Sequence, residues 1–358
     1  MNKLKLLLTL PGGGVHTVHT ARERKERLLE AIYQTKSIER AKKIWEKLID
    51  ILEVSKPFVI GIPSDNGGGI QRGANWGPLA VRGELLRDND LFTDLGDVRV
   101  IPHLLHDKYL NEKTIKECRK ALFGKSTIKL PVSPLSIAED AVKDIYKKRP
   151  QAKIFGIGGD HSTSYPLVKE WLLSRKDKKK AGILHFDAHT DLLEERLGID
   201  ICFGTWTFQI LEFLKSREHI IQLGIRSSGK TKAHWKKNVG ITQIWADEAN
   251  KLGAVKTIDK IKKHFKKLGV EELYVSFDID ALDEKYAAAT GTPESDGLLP
   301  SDCAAILREL SEDFRITGAD LMEVAPFVLP EGVEERDQKS SLTVAGDIAR
   351  LLLEILNK

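Results

Sequence analysis

Three short segments hold most of the side chains that could do chemistry. They are Gly158-Gly159-Asp160-His161-Ser162, His185-Phe186-Asp187-Ala188-His189-Thr190-Asp191 and Ser276-Phe277-Asp278-Ile279-Asp280-Ala281-Leu282-Asp283. A fourth, Asp320-Leu321-Met322-Glu323-Val324-Ala325-Pro326, adds Glu323. Carboxylates drawn together away from water repel one another unless one keeps a proton or a cation joins them. Histidines in the same segments favour the cation. Side chains two apart on a strand share a face, so Asp187 and His189 can address one site, and so can Asp278 and Asp280. Oxygen and nitrogen donors without sulfur suit a divalent ion such as Mn(II). The set exceeds the needs of one ion; two ions about 3.5–4 Å apart, bridged by carboxylates, would use it fully. A lone D-x-D is a weak signal, and Asp160 alone could be no more than a helix cap. Three such segments together are a stronger signal. Within them His185 reads as a core histidine supporting a ligand, whereas His161, just past its apolar run, reads as a ligand.

The elements that must position these residues follow from the pattern. Each segment trails a short apolar run: 154–157, 182–186, 273–277 and 316–321. Further runs at 58–62, 98–101, 220–224 and 241–245 bring the expected strands to about eight. Helical periodicity falls between most of them, at roughly 78–88, 112–123, 135–148, 164–175, 253–268 and 301–312, with a last helix at roughly 341–356. Buried strands alternating with crossover helices predict a parallel sheet with helices on both faces. In such sheets the ligand site lies beyond the carboxyl ends of the strands, where these residues fall. Residues 1–55 read as a charged, amphipathic helical extension, and 56–358 as the catalytic domain.

Composition narrows the function classes. The 358 residues carry 56 Lys and Arg against 52 Asp and Glu, a net charge of +4, with 41% hydrophobic residues. That apolar share excludes a disordered chain. So mild a charge predicts neither a nucleic-acid partner nor a membrane surface. No run approaches the ~18 apolar residues of a membrane span, and Leu6–Leu10 is shorter than the ~7–15 of a secretion signal. Cys118, Cys202 and Cys303 form no zinc-ribbon spacing and suit a reducing compartment. The expectation is a cytoplasmic protein.

The segments G-G-D-H-S, D-A-H-x-D and S-x-D-x-D-x-x-D resemble the arginase–agmatinase (ureohydrolase) family. So do Ala289-Thr290-Gly291-Thr292-Pro293, Gly61-Ile62-Pro63-Ser64-Asp65 and Gly73-Ala74-Asn75-Trp76-Gly77-Pro78 with Arg82. Gly224-Ile225-Arg226-Ser227 and Ala246-Asp247-Glu248 are similar to the agmatinase branch. The resemblance covers roughly 57–356. It implies a three-layer α/β/α fold, two Mn(II) ions and hydrolysis of a C–N bond in a small guanidino or amidino substrate. It assigns His161, Asp187, Asp191 and Asp278 to one ion and Asp187, His189, Asp278 and Asp280 to the other, with Asp283 supporting them. Glu323 matches the carboxylate that grips the substrate cation. A homo-oligomer, trimer or hexamer, is common in the family.

One position departs from the pattern. The family's His-Gly pair after D-A-H-x-D, whose histidine is thought to shuttle protons, is Phe203-Gly204 here. Phe203 cannot carry a proton, and such help is worth about 10²–10⁴ in rate. Asp191, Glu194, Glu195 or Cys202 could supply another route. Otherwise the substrate is a formimino compound or other linear amidine or amide, or the chain is an impaired metal-binding regulatory homologue. The loop 192–198 lacks the Asn and Ser residues of arginases, which disfavours arginase itself. Arg196 or Arg226 could meet a substrate carboxylate, and Phe203 and Trp206 could wall the pocket.

Overall fold

A computed structural model describes residues 2–16, 22–66, 71–328 and 335–358. Its centre is a nine-stranded sheet. In chain order the strands are β1 (Leu8–Thr9), β2 (Phe58–Ile62), β3 (Thr93–Val98), β4 (Ile154–Gly158), β5 (Ala181–Phe186), β6 (Ile220–Ile225), β7 (Thr242–Trp245), β8 (Glu272–Asp278) and β9 (Arg315–Met322). Their spatial order is β1-β3-β2-β4-β9-β8-β5-β6-β7. Every pairing is parallel except β1 on β3. The parallel strands are apolar on both faces because helices cover both, which makes the three layers inferred from sequence.

Most helices follow the expected spans, but that expected at 78–88 ends at Glu84 and the last, expected from 341, begins at Glu335. Asn111 caps the helix Glu112–Phe123 by accepting from the Thr114 amide, and Gly124 ends it in the left-handed region. Helices Pro134–Lys148, Ser164–Ser174 and Pro300–Asp313 lie within a residue of their predicted bounds. The helix expected from residue 253 begins at Ala246 and bends at Gly253, which has φ 74°.

One strand is displaced from its expected position. The run at 98–101 contributes only Val98 to a strand and Val100 to an isolated bridge; the strand itself is Thr93–Val98. Its Asp94 and Asp97 disguise it as a loop in the sequence. Both carboxylates are buried, and the buried Arg82 guanidinium neutralises them. Arg82 Nε and Nη2 donate to the two Asp94 oxygens at 2.7 and 2.9 Å, and Nη1 to Asp97 at 2.6 Å. Burial would lower the arginine's pKa, but the two carboxylates outweigh it and raise it.

The N-terminal segment contributes more than helices. Arg22–Tyr33 and Ile38–Ile51 are helical as the periodicity requires. Ahead of them Leu4, Leu7 and Leu8 are fully buried, and β1 covers the outer edge of β3. Trp45 fastens the second helix to β3 through Nε1 donating to the Leu95 carbonyl at 2.9 Å.

Candidate metal and substrate site

The central strands β4, β9, β8 and β5 are adjacent, so their carboxyl ends bring four loops to one point. After β4 the chain turns sharply at Gly159, where a Cβ would lie 1.7 Å from the Ser64 carbonyl oxygen. The Asp160 amide donates to that same oxygen, and His161 opens a short 3-10 turn. Asp187 follows β5, and Asp278 ends β8. Asp191 and Glu323 both adopt left-handed backbone, with φ 49° and 60°. Such angles cost most side chains energy and are found where a group must be aimed.

The first cluster surrounds His161 Nδ1. Carboxylate oxygens of Asp278, Asp187 and Asp191 lie 2.9, 3.2 and 3.4 Å from it. The atom is buried, yet none of the three meets it in hydrogen-bonding geometry. The other ring nitrogen, Nε2, is 3.1 Å from Ser276 Oγ, and that hydroxyl donates to Asp320 at 2.8 Å. Asp320 also accepts from Tyr274 at 2.8 Å. This chain sets the ring, leaving the Nδ1 lone pair facing three carboxylates. A buried nitrogen lone pair facing a ring of carboxylate oxygens is the arrangement a divalent cation completes.

The second cluster comprises Asp187, His189 and Asp280, whose ligand atoms lie within 4.8 Å of one another. His189 Nδ1 is 3.0 Å from Asp280 and 3.5 Å from Asp187. Asp187 thus belongs to both clusters. His185, read from sequence as supporting a ligand, lies within ligand range of His161, Asp187 and Asp191, and both its ring nitrogens have partners. Gln222 donates to its Nδ1 at 3.0 Å, so the proton sits on Nε2, which donates to Asp187 at 2.8 Å. Asp283 stands apart: it accepts from the Lys285 and Gly297 amides and braces the 283–297 loop.

Charge balance points the same way. Burial, then Asp280 and Asp187, push the Asp278 carboxyl well above its usual range. Burial and Asp187 push Asp191 to about 8. Glu323 is raised well above normal by burial, then by Asp278 and Asp160. Burial opposes charge on His161, but Asp187 and Asp278 win and raise it well above normal. The cluster calls for positive charge, and the donor set of carboxylates and imidazoles fits a divalent ion of Mn(II) type.

Glu323 joins this group through Oε1, which accepts from the His161 amide at 2.8 Å. Phe203 and Arg196 lie beside this group, in a cleft that reaches the neighbours of His161 in the chain but is lined by neither Glu323 nor the expected ligands. With Asn66, Asp160, Ser162 and Cys202 they line an open cleft of about 310 Å³, comparable to the smaller of known ligand pockets. The Arg196 guanidinium sits 4.8 Å above the Phe203 ring. Glu194 and Glu195 are exposed. Cys202 is buried, and burial raises its thiol pKa, which does not favour a thiolate nucleophile. Among the described residues Arg226 donates to no carboxylate: its guanidinium donates to the carbonyls of Gly224, Asp280, Ala281, Leu282, Glu294 and Ser295.

Several contributors carried little signal in the sequence. Trp206 donates from Nε1 to Asp191 at 2.8 Å and lies tilted against the His161 ring at 4.8 Å, so it is more than a wall. Thr292 donates to Asp280 at 3.1 Å. Gln222 was the visible clue, a polar residue inside an apolar strand. Glu294, 3.5 Å from His189, had none beyond its place after the Thr-Pro pair.

Among the described residues no helix is long and apolar enough to cross a membrane. Residues 55–353 match the model of the arginase family. A mitochondrial guanidino acid hydrolase of Homo sapiens is 30% identical over 285 residues, 75% of this chain and 70% of that protein. An agmatinase of Bacillus cereus is 28% identical over 287 residues, covering 79% and 88%. Among solved structures, the proclavaminate amidino hydrolase of Streptomyces clavuligerus superposes with a TM-score of 0.65 at 25% identity, covering 84% of this chain and 92% of that one. With the fold, the clustered His and Asp residues and a family match over most of its length, the chain belongs to the arginase family, among agmatinase-like relatives.

Proposed function

We propose that the protein is a binuclear manganese hydrolase that cleaves a C–N bond of a guanidino acid. The buried, partnerless Nδ1 of His161 ringed by three carboxylates carries this reading. His161, Asp187, Asp191 and Asp278 would hold one ion, and Asp187, His189, Asp278 and Asp280 the other. Two such ions supply Lewis acidity and water activation at neutral pH. The chain's own residues do the rest. Glu323, beside the His161 amide, pairs with the planar cation of the substrate and orients its central carbon toward the carboxylate cluster. With Phe203 unable to shuttle protons, Asp191 is the proposed carrier to the leaving amine, from the carboxylate oxygen not engaged by Trp206.

Arg196 favours an acid over a diamine-derived substrate. A guanidinium lining the neighbouring cleft would attract a distal carboxylate and repel the distal ammonium of agmatine. Two relatives, the guanidino acid hydrolase and a guanidinobutyrase of Pseudomonas aeruginosa, are named for such acids. We further propose a cytoplasmic homo-oligomer of three or six copies, with 1–55 as an extension on a catalytic domain of 56–358.

The test is urea release by the Mn(II)-loaded protein from 4-guanidinobutanoate, shorter and longer guanidino acids, agmatine and arginine. Turnover of an acid above agmatine, lost on chelation, is expected. No metal-dependent release of urea, ammonia or formamide from any of them would overturn the assignment. Arg196→Glu should reverse the preference between acid and agmatine.

A further inference from the structure

His189 presents Nδ1 to Asp280 and Asp187, which leaves Nε2 pointing the other way. There it meets Glu294, whose Oε1 lies 3.5 Å off. Three separate segments bear His189, Asp280 and Glu294, and they are tied together from one place. The amides of Arg226 and Ser227 donate to the Ala188 carbonyl at 2.9 and 3.0 Å. The Arg226 guanidinium donates to the Asp280 carbonyl at 2.8 Å, the Glu294 carbonyl at 2.8 Å and the Ser295 carbonyl at 2.7 Å. All three segments are therefore fixed to the end of β6.

We infer that Glu294 is a positioning residue for the second ion site, acting as the outer carboxylate partner of His189 and held in place by the Arg226 clamp. A carboxylate 3.5 Å from Nε2, within ion-pair range though not hydrogen-bonded, favours the proton there by its charge and leaves the Nδ1 lone pair to face Asp280 and Asp187. The same outer partnership raises a ligand imidazole's donor strength. The first cluster achieves this with a neutral hydroxyl, Ser276, on His161. The two histidines are thus tuned differently, one by a buried hydroxyl and one by a half-buried carboxylate.

This inference rests on the two-ion reading, and Mn(II) binding separates the two. Equilibrium titration of the metal-stripped full chain, with metal content after dialysis, should show two sites in the wild type. In Glu294→Ala, one site should weaken about 10–100-fold and the other keep its affinity. Glu294→Gln keeps an acceptor and should recover part of the loss. Each variant should keep the wild-type melting temperature when stripped, which a merely structural role would not allow. Fewer than two sites in the wild type would refute the two-ion reading instead. Two wild-type sites with both affinities unchanged in Glu294→Ala, or both weakened equally, would overturn the role of Glu294.

Discussion

Asp191→Asn is the sharpest perturbation the site offers, because the change is almost purely electrostatic. The asparagine carbonyl can keep the hydrogen bond from Trp206 Nε1, and Asn tolerates the left-handed backbone at φ 49° as Asp does. What disappears is a carboxylate whose ligand atom lies within 4.8 Å of those of Asp187 and His161. At that distance and an effective dielectric near 20, two like charges repel by about 3 kcal/mol. Burial and this repulsion raise the Asp191 pKa to about 8. The sign follows directly. An acid whose folded pKa is raised destabilises the fold above its unfolded pKa of about 3.9, increasingly until the folded pKa is passed. At pH 7 the gap approaches three units, so removing the acid should stabilise the metal-stripped protein on the order of 2–4 kcal/mol. For 358 residues the unfolding entropy is about 0.75 kcal/mol/K, so the stripped variant should melt about 3–5 °C higher. With Mn(II) a thousandfold above its Kd, each bound ion adds about 4 kcal/mol. The wild type should then rise about 11 °C and the variant, keeping only the ion at His189, about 5 °C. The two melting curves therefore change places on adding metal, which differential scanning calorimetry with parallel metal analysis would show. A stripped variant less stable than wild type would refute the electrostatic argument. Two ions retained at wild-type affinity would refute the ligand role.

Three other outcomes follow from the same structure. Ser276→Ala should weaken the ion at His161 about 10–100-fold while sparing the other, because it frees the ring that Ser276 orients; unchanged titration curves would contradict this. Arg82→Met should cost about 3–5 kcal/mol by stranding Asp94 and Asp97 without their cation, a fall in melting temperature of roughly 4–7 °C; a neutral effect would mean the carboxylates keep their protons freely. Glu170, 5% exposed, has its pKa raised to about 7 by burial and then by Glu139. Stability contributed by its protonated form is present below about 4.5 and lost as pH rises through 7, so Glu170→Gln should stabilise on the order of 1–3 kcal/mol at pH 8 and little at pH 4; equal effects at both would refute it.

The strands bearing the site were readable because they are continuous apolar runs, and their carboxyl ends carry the acids and imidazoles. β3 was not, since Asp94 and Asp97 look like loop residues until Arg82 is placed beside them. β1 escaped notice because two residues give no period. In the site, Asp187 and His189 come together as expected, but in the turn beyond β5 rather than on the strand, and Asp280 does so from a 3-10 turn after β8. Glu294 and Trp206 lie far in the chain from His189 and Asp191, the residues they serve, and no local pattern links them. Asp283 shows the reverse: its spacing suggests the site, while its carboxylate is spent on loop amides. Arg226 reads in the sequence as a partner for acids, whereas among the described residues it donates to carbonyls, because the backbone turns its carbonyls inward there.

The left-handed backbone at Asp191 and Glu323 has a consequence for how this protein can evolve. Both residues hold conformations that glycine adopts without cost, and both add acidic charge where burial disfavours it. Any drift toward glycine at either position would relax the chain and ease repulsion, so selection for stability alone would erase the site. An impaired descendant should reveal itself first at these two positions, before its core changes at all.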